Sequence, residues 1–162
     1  MRIDKAISGS MAMNEETWAR HANPLSVYTR IPLLALFALA IWSRTWIGWW
    51  ALLPVALVAA WTFYNPRAFK PPASTDNWAS KVTLGERMWL ARTTSPVPAH
   101  HARWALGLSI ASGMSLVPTI YGLIALEPFA AVLGTVLASA FKIWFCDRMV
   151  WLYEDMKGAS AA

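Results

Sequence analysis

Long apolar runs dominate this chain from residue 31 onward, and one polar stretch, residues 65–103, divides them into two groups. A helix needs about 20 predominantly apolar residues to cross the hydrocarbon region of a bilayer. Three runs meet that requirement, and a shorter one between Arg30 and Arg44 meets it when extended back to Ser26. The pattern predicts an all-α membrane bundle with four spans, at about residues 26–43, 45–64, 104–126 and 128–146. A shallow re-entrant segment is the alternative for the first span.

Very short connections pair these spans. Arg44-Thr45 joins the first two and Glu127-Pro128 joins the last two, so each pair is expected to form a helical hairpin. Small residues at i, i+4 spacing favour close helix approach. They are Gly107/Ala111, Ser109/Gly113 and Gly134/Ala138.

Prolines interrupt two of the spans and border others. Pro54 and Pro118 fall in the middle of spans two and three, where they predict kinks. Asn23-Pro24 and Asn65-Pro66 lie at the boundaries of spans one and two, where Asn-Pro favours a turn or a helix cap.

A polar stretch, residues 65–103, separates the two hairpins and contains one amphipathic segment. Ser74-Thr75-Asp76 offers a helix N-cap, and an apolar stripe with helical spacing follows it. The stripe consists of Trp78, Val82, Gly85 and Trp89. This pattern predicts a helix over about residues 77–92 that lies in the cytoplasmic membrane surface.

The chain ends are polar or small in character. Residues 1–13 contain no cleavable signal and predict a disordered leader, within which Met11 or Met13 is an alternative start. Residues 158–162 predict a disordered tail. A single membrane domain is therefore expected over residues 14–157.

Basic residues are distributed very unevenly about the predicted spans. Of the 14 Lys and Arg residues, Arg44 alone falls on the side opposite to the rest. Because loops rich in Lys and Arg stay in the cytoplasm, both termini and the central loop are expected there. The sequence thus predicts a protein of the cytoplasmic, or inner, membrane.

Composition supports a lipid environment. Hydrophobic residues make up 57% of the chain and eleven are Trp, a residue enriched in membrane interfaces. The basic residues responsible for the net charge of +5 lie beside apolar spans. This placement indicates contact with anionic lipid and argues against nucleic-acid binding. Membrane lipid is the expected partner, with a second copy or another membrane protein as further possibilities. Cys146 is the single cysteine, so no disulfide framework is expected.

Candidate chemistry gathers on the cytoplasmic side. His21, His100 and His101, together with Glu86 and Asp147, are expected near one mouth of the bundle. Imidazoles and carboxylates suit zinc, or iron or manganese, so the three histidines are candidate ligands of a divalent metal cofactor. Metal-free acid–base catalysis by the same five residues is a second hypothesis. Ion pairing in the headgroup zone, without catalysis, is the third.

A second group of residues suits an anion. Asn23, Arg30, Arg67 and Arg148 are candidates to position the phosphate or carboxylate of a substrate. Helix capping is the alternative role for Asn23. The sequence contains no GxSxG, SxxK or glycine-rich phosphate loop, and no carboxylate lies mid-span, which argues against a proton-coupled transporter.

Several segments together resemble a known family. They are EETWARHANPLSVYTR, WIGWWALLPV, NPRAF, LGERMWL, PAHH and WFCDRMVWLYEDM. Over about residues 14–157 the chain resembles small Trp-rich bacterial and archaeal membrane proteins classed as a domain of unknown function. The resemblance implies a stand-alone integral membrane protein and implies no activity, cofactor or partner.

Two functions are consistent with the sequence. The first is an enzyme that acts at the cytoplasmic face on a lipid or other apolar substrate through the histidine and carboxylate residues. The second is a non-catalytic membrane subunit or scaffold that packs against lipid or a partner protein.

Overall fold

A computed structural model describes residues 14–161, and side chains through residue 159. The predicted leader, residues 1–13, lies outside this range. Within it the chain is all-α, as predicted, and contains no strand. The helices are α1 (Glu15–His21), α2 (Pro24–Tyr28), α3 (Leu33–Trp42), α4 (Arg44–Ile47), α5 (Leu52–Ala68), α6 (Trp78–Leu90), α7 (Ala99–Ala125) and α8 (Pro128–Ala161), with a 3-10 turn at Gly48–Ala51.

Three helical stretches of the described chain are long and apolar enough to cross a membrane: Pro24–Ala68, Ala99–Ala125 and Pro128–Ala159. The first has 45 residues and contains both of the first two predicted spans. It is not one straight rod, because α3 and α5 pack against each other within it. Large apolar side chains are exposed on the outer faces of these stretches, as expected of surfaces that face lipid.

Two breaks divide the first stretch. Residues 29–32 form tight turns between α2 and α3, because Pro32 has no N–H to continue the α-helical ladder. Gly48 has a φ of +56°, which ends α4 and which residues with a Cβ rarely adopt. Since α5 begins only at Leu52, Pro54 falls in a first turn, where its missing N–H costs nothing. The predicted mid-span kink at Pro54 is therefore wrong.

The Asn65-Pro66 pair also differs from its predicted role. The sequence predicts a cap or turn there, but α5 continues through Pro66 to Ala68. The Asn65 side chain is fully buried and bonds to other side chains instead. Asn23 does act as predicted, since it caps α2 through the backbone N–H of Leu25.

A tight turn joins α7 to α8, which pack along each other. Leu126 adopts the left-handed conformation, and the Glu127 N–H donates to the Gly122 carbonyl (2.9 Å). Gly134 permits the close approach, since a Cβ there would lie 2.8 Å from the Ser115 carbonyl oxygen. Gly107 and Gly113 face open space, so their predicted role in helix contact is wrong.

Helix α6 packs against α8, with contacts that run from Lys142 to Glu154. It begins one residue later than predicted, because Asn77 and not the Ser74–Asp76 segment caps it through the Ser80 N–H. Two members of the predicted stripe, Val82 and Gly85, are buried. A Cβ at Gly85 would lie 2.7 Å from the Met149 carbonyl carbon, so the two backbones are in direct contact.

Helix α8 continues through Ala161, where the sequence predicts a tail from residue 158. Alanine is the strongest helix former, so the small residues of this segment extend the helix at little cost. The buried core beneath α6 is formed by α7 and α8 and includes Ala105, Leu108, Phe145, Met149 and Leu152.

Candidate functional site: a charged cavity and a histidine pair

A chain of buried hydrogen bonds surrounds His21 at the junction of α1, α2 and α5. His21 Nδ1 lies 2.9 Å from Ser26 Oγ, and Ser26 Oγ donates to Asn65 Oδ1 at 2.7 Å. Asn65 Nδ2 donates to Thr29 Oγ1 at 2.8 Å. On the other side of the ring, an Arg30 guanidinium N–H donates to His21 Nε2. The imidazole therefore has a protein partner on both nitrogens.

Arg30 fixes the tautomer of His21. A guanidinium has only donors, so Nε2 must accept and the proton of a neutral ring must sit on Nδ1. Nδ1–H then donates to Ser26, whose own proton goes to Asn65, so all the bonds run in one direction. Burial, reinforced by the Arg30 charge, lowers the pKa of His21 to about 3. The ring is thus neutral at physiological pH.

A cavity of about 340 Å³ opens beside this network. Its walls are largely apolar and come from α2, α3, α5, α6, α7 and α8. Apolar lining includes Leu33, Leu34, Leu116 and Ile143. Three charged side chains contribute to the lining: Arg30, Glu86 and Lys142. The cavity is thus apolar over most of its wall and ionic at one part of it.

Glu86 and Lys142 form an ion pair in this wall, with Oε1 and Nζ 2.7 Å apart. Burial acts to raise the pKa of Glu86, but the positive charges of Lys142 and Arg30 outweigh it and hold this pKa below its usual range. Glu86 is consequently a carboxylate at neutral pH. Its negative charge offsets one of the two positive charges in the wall.

Arg30 is the unbalanced charge. Its guanidinium contacts the neutral ring of His21, and no carboxylate of residues 14–161 forms a salt bridge with it. A cation beside apolar wall is costly unless it has an anionic partner. The lined cavity therefore carries one net positive charge from its three ionic side chains.

The second cluster lies where α7 begins and α8 approaches its end. His101 is 1% exposed, and its Nε2 lies 2.8 Å from Asp155 Oδ2. His100 Nε2 lies 3.9 Å from the same oxygen. One candidate ligand atom from each of the three residues lies within 4.8 Å of the other two. Among the described residues, these three form the group of His, Cys, Asp or Glu side chains that could hold a metal ion.

The structure therefore divides the predicted five-residue group. His21 and Glu86 lie around the cavity, whereas His100 and His101 lie in the other cluster with Asp155. Asp147 belongs to neither, because its Oδ1 accepts from the Trp78 indole N–H at 3.2 Å.

The predicted anion-binding residues are also dispersed. Of the four, Arg30 lines the cavity. Asn23 caps α2 and donates to the Lys70 carbonyl (2.9 Å), while Arg67 donates to the Phe63 carbonyl (2.9 Å). The Arg148 guanidinium lies over the rings of Trp104 and Trp151.

Comparison with known proteins gives a family. Over residues 2–162 the chain matches a family of unknown function (DUF6653). The chain belongs to this family. That assignment confirms the resemblance drawn from the sequence segments and adds no activity to it. Neither a curated protein nor a solved structure matches the chain.

Sequence reasoning missed three important members of these sites: Lys142, Asn65 and Asp155. The sequence predicts that Lys142 snorkels to the membrane surface and that Asn65 caps a helix. Their actual partners are distant in sequence and could not be inferred from the local pattern. Asp155 could have been found from the hairpin register. His101 precedes the turn residue Glu127 by about as many positions as Asp155 follows it, so an antiparallel pair brings them level.

Proposed function

We propose that this protein is integral to the cytoplasmic membrane, crosses it four times as two hairpins, and keeps both termini in the cytoplasm. The contact between α3 and α5 supports two crossings within Pro24–Ala68. Arg44 donates to the Leu123 and Ile124 carbonyls, which brings the first hairpin turn to the turn between α7 and α8. The remaining basic residues then lie toward the other face, in agreement with the positive-inside rule.

Within this arrangement, the protein binds one anionic amphiphile with a single acyl-type chain. The head group, a carboxylate or phosphate, lies against Arg30, and the chain occupies the apolar part of the cavity near Leu33, Leu116 and Ile143. The volume of about 340 Å³ falls at the lower end of the range for small-molecule sites. One acyl chain fits this volume better than the two chains of a phospholipid.

The observation that carries this proposal is the unpaired charge of Arg30 in an apolar wall. An anionic head group would neutralise it, and the guanidinium can bind a carboxylate or phosphate through two parallel hydrogen bonds. The hydrogen-bond chain from His21 to Thr29 fixes the His21 ring, which in turn positions the Arg30 guanidinium. All members of this chain are neutral, so the charge of Arg30 is not offset. Arg30 is therefore positioned for a ligand and remains charged.

Binding suits this geometry better than catalysis. An effective general acid or base has a pKa near the working pH. The pKa of His21 is about 3, and the pKa of Glu86 is below its usual value, so neither exchanges protons readily at neutral pH. His21 Nε2 is also covered by Arg30. The site therefore suits binding of an anionic head group and its acyl chain better than proton transfer.

Displacement of a fluorescent fatty acid from the protein in zwitterionic nanodiscs tests the proposal. Oleate and lysophosphatidate should displace the probe, whereas monoolein and lysophosphatidylcholine should not. The stronger of the two anionic competitors identifies a carboxylate or a phosphate as the preferred head group. Arg30→Gln should weaken binding of both by at least tenfold, because a charge-assisted hydrogen-bond pair is lost.

Arg103→Gln is the matched control, since it makes the same change of charge at a residue outside the cavity lining. It should leave the affinity of oleate and lysophosphatidate unchanged. Neutral competitors as effective as oleate would contradict the proposal. An Arg30→Gln protein that is folded and binds the probe like the wild type would contradict it as well.

A further inference from the structure

The pair His100 and His101 forms a second, separate arrangement with Asp155. Both histidines lie in the first turn of α7, and Asp155 lies on the part of α8 that packs beside it. The two imidazole rings are close, with centroids 4.1 Å apart, so they do not point to opposite sides of the helix. The three side chains converge on one point.

The spacing of these groups suits a small divalent cation. Zinc lies about 2.0–2.2 Å from nitrogen and oxygen ligands, so two ligand atoms of a tetrahedral ion are roughly 3.3 Å apart. Asp155 Oδ2 lies 2.8 Å from Nε2 of His101 and 3.9 Å from Nε2 of His100, values on either side of that separation. Small rotations of the half-exposed Asp155 and His100 side chains would equalise them.

Hydrogen bonding within the protein explains the burial of His101 only in part. Its Nε2 meets Asp155, but Nδ1 is buried and has no hydrogen-bond partner among the described residues. His21 provides the contrast, because both of its nitrogens are bonded and one of them faces a cation. Among the described residues no cation donates to Nε2 of His100 or His101, and both atoms face the Asp155 carboxylate, so these two nitrogens can bind a metal.

We propose that His100, His101 and Asp155 bind one divalent transition-metal ion, through Nε2 of each histidine and a carboxylate oxygen. Two imidazole nitrogens and one carboxylate are a ligand set for zinc or for ferrous iron. Three protein ligands leave at least one coordination position for water. His100 and Asp155 have side chains 55% and 59% exposed, so that position faces solvent. The ion fastens the start of α7 to the end of α8.

This inference is independent of the amphiphile-binding proposal. None of the three residues lines the cavity at Arg30, and none contacts His21. The metal site can therefore be present whether or not the cavity holds an anion.

Metal titration of untagged, chelator-treated protein tests the site. Isothermal calorimetry with Zn²⁺ should give one equivalent per chain, and Co²⁺ should give the absorption bands of a four-coordinate nitrogen and oxygen site. His100→Ala and Asp155→Asn should each weaken Zn²⁺ binding by at least roughly tenfold, as expected on loss of a ligand. His21→Gln should bind Zn²⁺ with the affinity of the wild type.

Asp155→Asn is the decisive variant, because an amide oxygen still accepts from His101 Nε2–H and preserves the helix contact. If this variant is folded by circular dichroism and binds Zn²⁺ like the wild type, the proposed site is wrong. Absence of saturable binding by Zn²⁺, Co²⁺ and Fe²⁺ to the wild type would also overturn it. Loss of binding in folded His21→Gln would overturn it in favour of a site containing all three histidines.

Discussion

At the scale of residues, the most informative feature is the way Arg30 contacts His21. From sequence, His21 is a metal ligand or a base, since histidine is the residue most often used for both. In the structure a guanidinium and a hydroxyl occupy its nitrogens. A neutral, buried imidazole is thus a support for Arg30. Sequence could identify both residues as unusual but not their contact, because nine positions and a helix break separate them.

The depressed pKa of His21 predicts a specific pH dependence of stability. In the unfolded chain this histidine takes up a proton near pH 6.5, while in the folded protein it does so only near pH 3. The stability it contributes is therefore complete above pH 6.5 and is lost as the pH falls toward 3. Between pH 7 and pH 5 the loss amounts to about 2 kcal/mol.

His21→Gln should remove this component. The free energy of unfolding in detergent, measured at pH 7 and pH 5 for both proteins, checks the prediction through the difference between their pH dependences. Other titrating groups contribute to both proteins and cancel in that difference. Equal pH dependence in wild type and His21→Gln would show that His21 is not held neutral.

Glu86 provides a prediction opposite in sign to that for Arg30. Its carboxylate lies in the cavity wall and repels an anionic head group. Glu86→Gln raises the net charge of the wall by one, so oleate should bind more tightly, by roughly tenfold. The same displacement measurement used for Arg30→Gln checks this, with Glu15→Gln as the exposed control. Weaker binding by Glu86→Gln would mean that Glu86 itself contacts the ligand.

At the scale of elements, apolar periodicity predicted the existence of helices much better than their ends. The bounds of α6 came within two residues of the prediction, because its stripe from Trp78 to Trp89 has helical spacing. Helix α5 starts at Leu52, seven positions after the predicted start of the second span at Thr45. Hydropathy carries no information on backbone dihedral angles and so could not show the positive φ of Gly48. Asn65 was misread because its partners belong to α2 and the turn after it.

Contact between α6 and α8 depends on Gly85. Substitution by alanine places a Cβ against the Met149 backbone, and neither backbone can shift without disturbing the ion pairs on both sides of the contact. Gly85→Ala should therefore destabilise the protein by about 1–3 kcal/mol, the usual cost of overpacking. Thermal unfolding in detergent measures the change.

Gly107→Ala is the matched control, because nothing lies within 4 Å of a Cβ at that position of α7. It should be neutral or slightly stabilising, since alanine is the better helix former. Equal destabilisation by the two substitutions would contradict the close approach of α6 to α8.

At the scale of the whole molecule, charge distribution and topology are linked. Long-range pairs such as Lys81–Glu154 and Glu86–Lys142 tie α6 to α8 at the end of the bundle where α1 also packs. The all-α class, and the end of the bundle that carries most of the charged residues, could be predicted from hydropathy and from the position of Arg44. The convergence of Arg30, Glu86 and Lys142 on one cavity could not be predicted, because it depends on the rotation of helices that are distant in sequence, which a one-dimensional pattern leaves open.

Four crossings predict that both termini lie on one side of the membrane, whereas three crossings separate them. A fluorescent protein fused at the N-terminus should fold and emit in the cytoplasm, and so should one fused after Ala162. Alkaline phosphatase at these positions should be inactive. An active phosphatase at one position and fluorescence at the other would require an odd number of crossings between them.

Native mass spectrometry of the protein released from its own membrane examines the natural occupant of the cavity. We expect one bound molecule per chain, with the mass of an anionic single-chain amphiphile, and its loss in Arg30→Gln but not in Arg103→Gln. Protein that carries no such molecule, or that carries only two-chain zwitterionic lipid to the same extent in all three forms, would contradict an anion-binding role for Arg30 and its cavity.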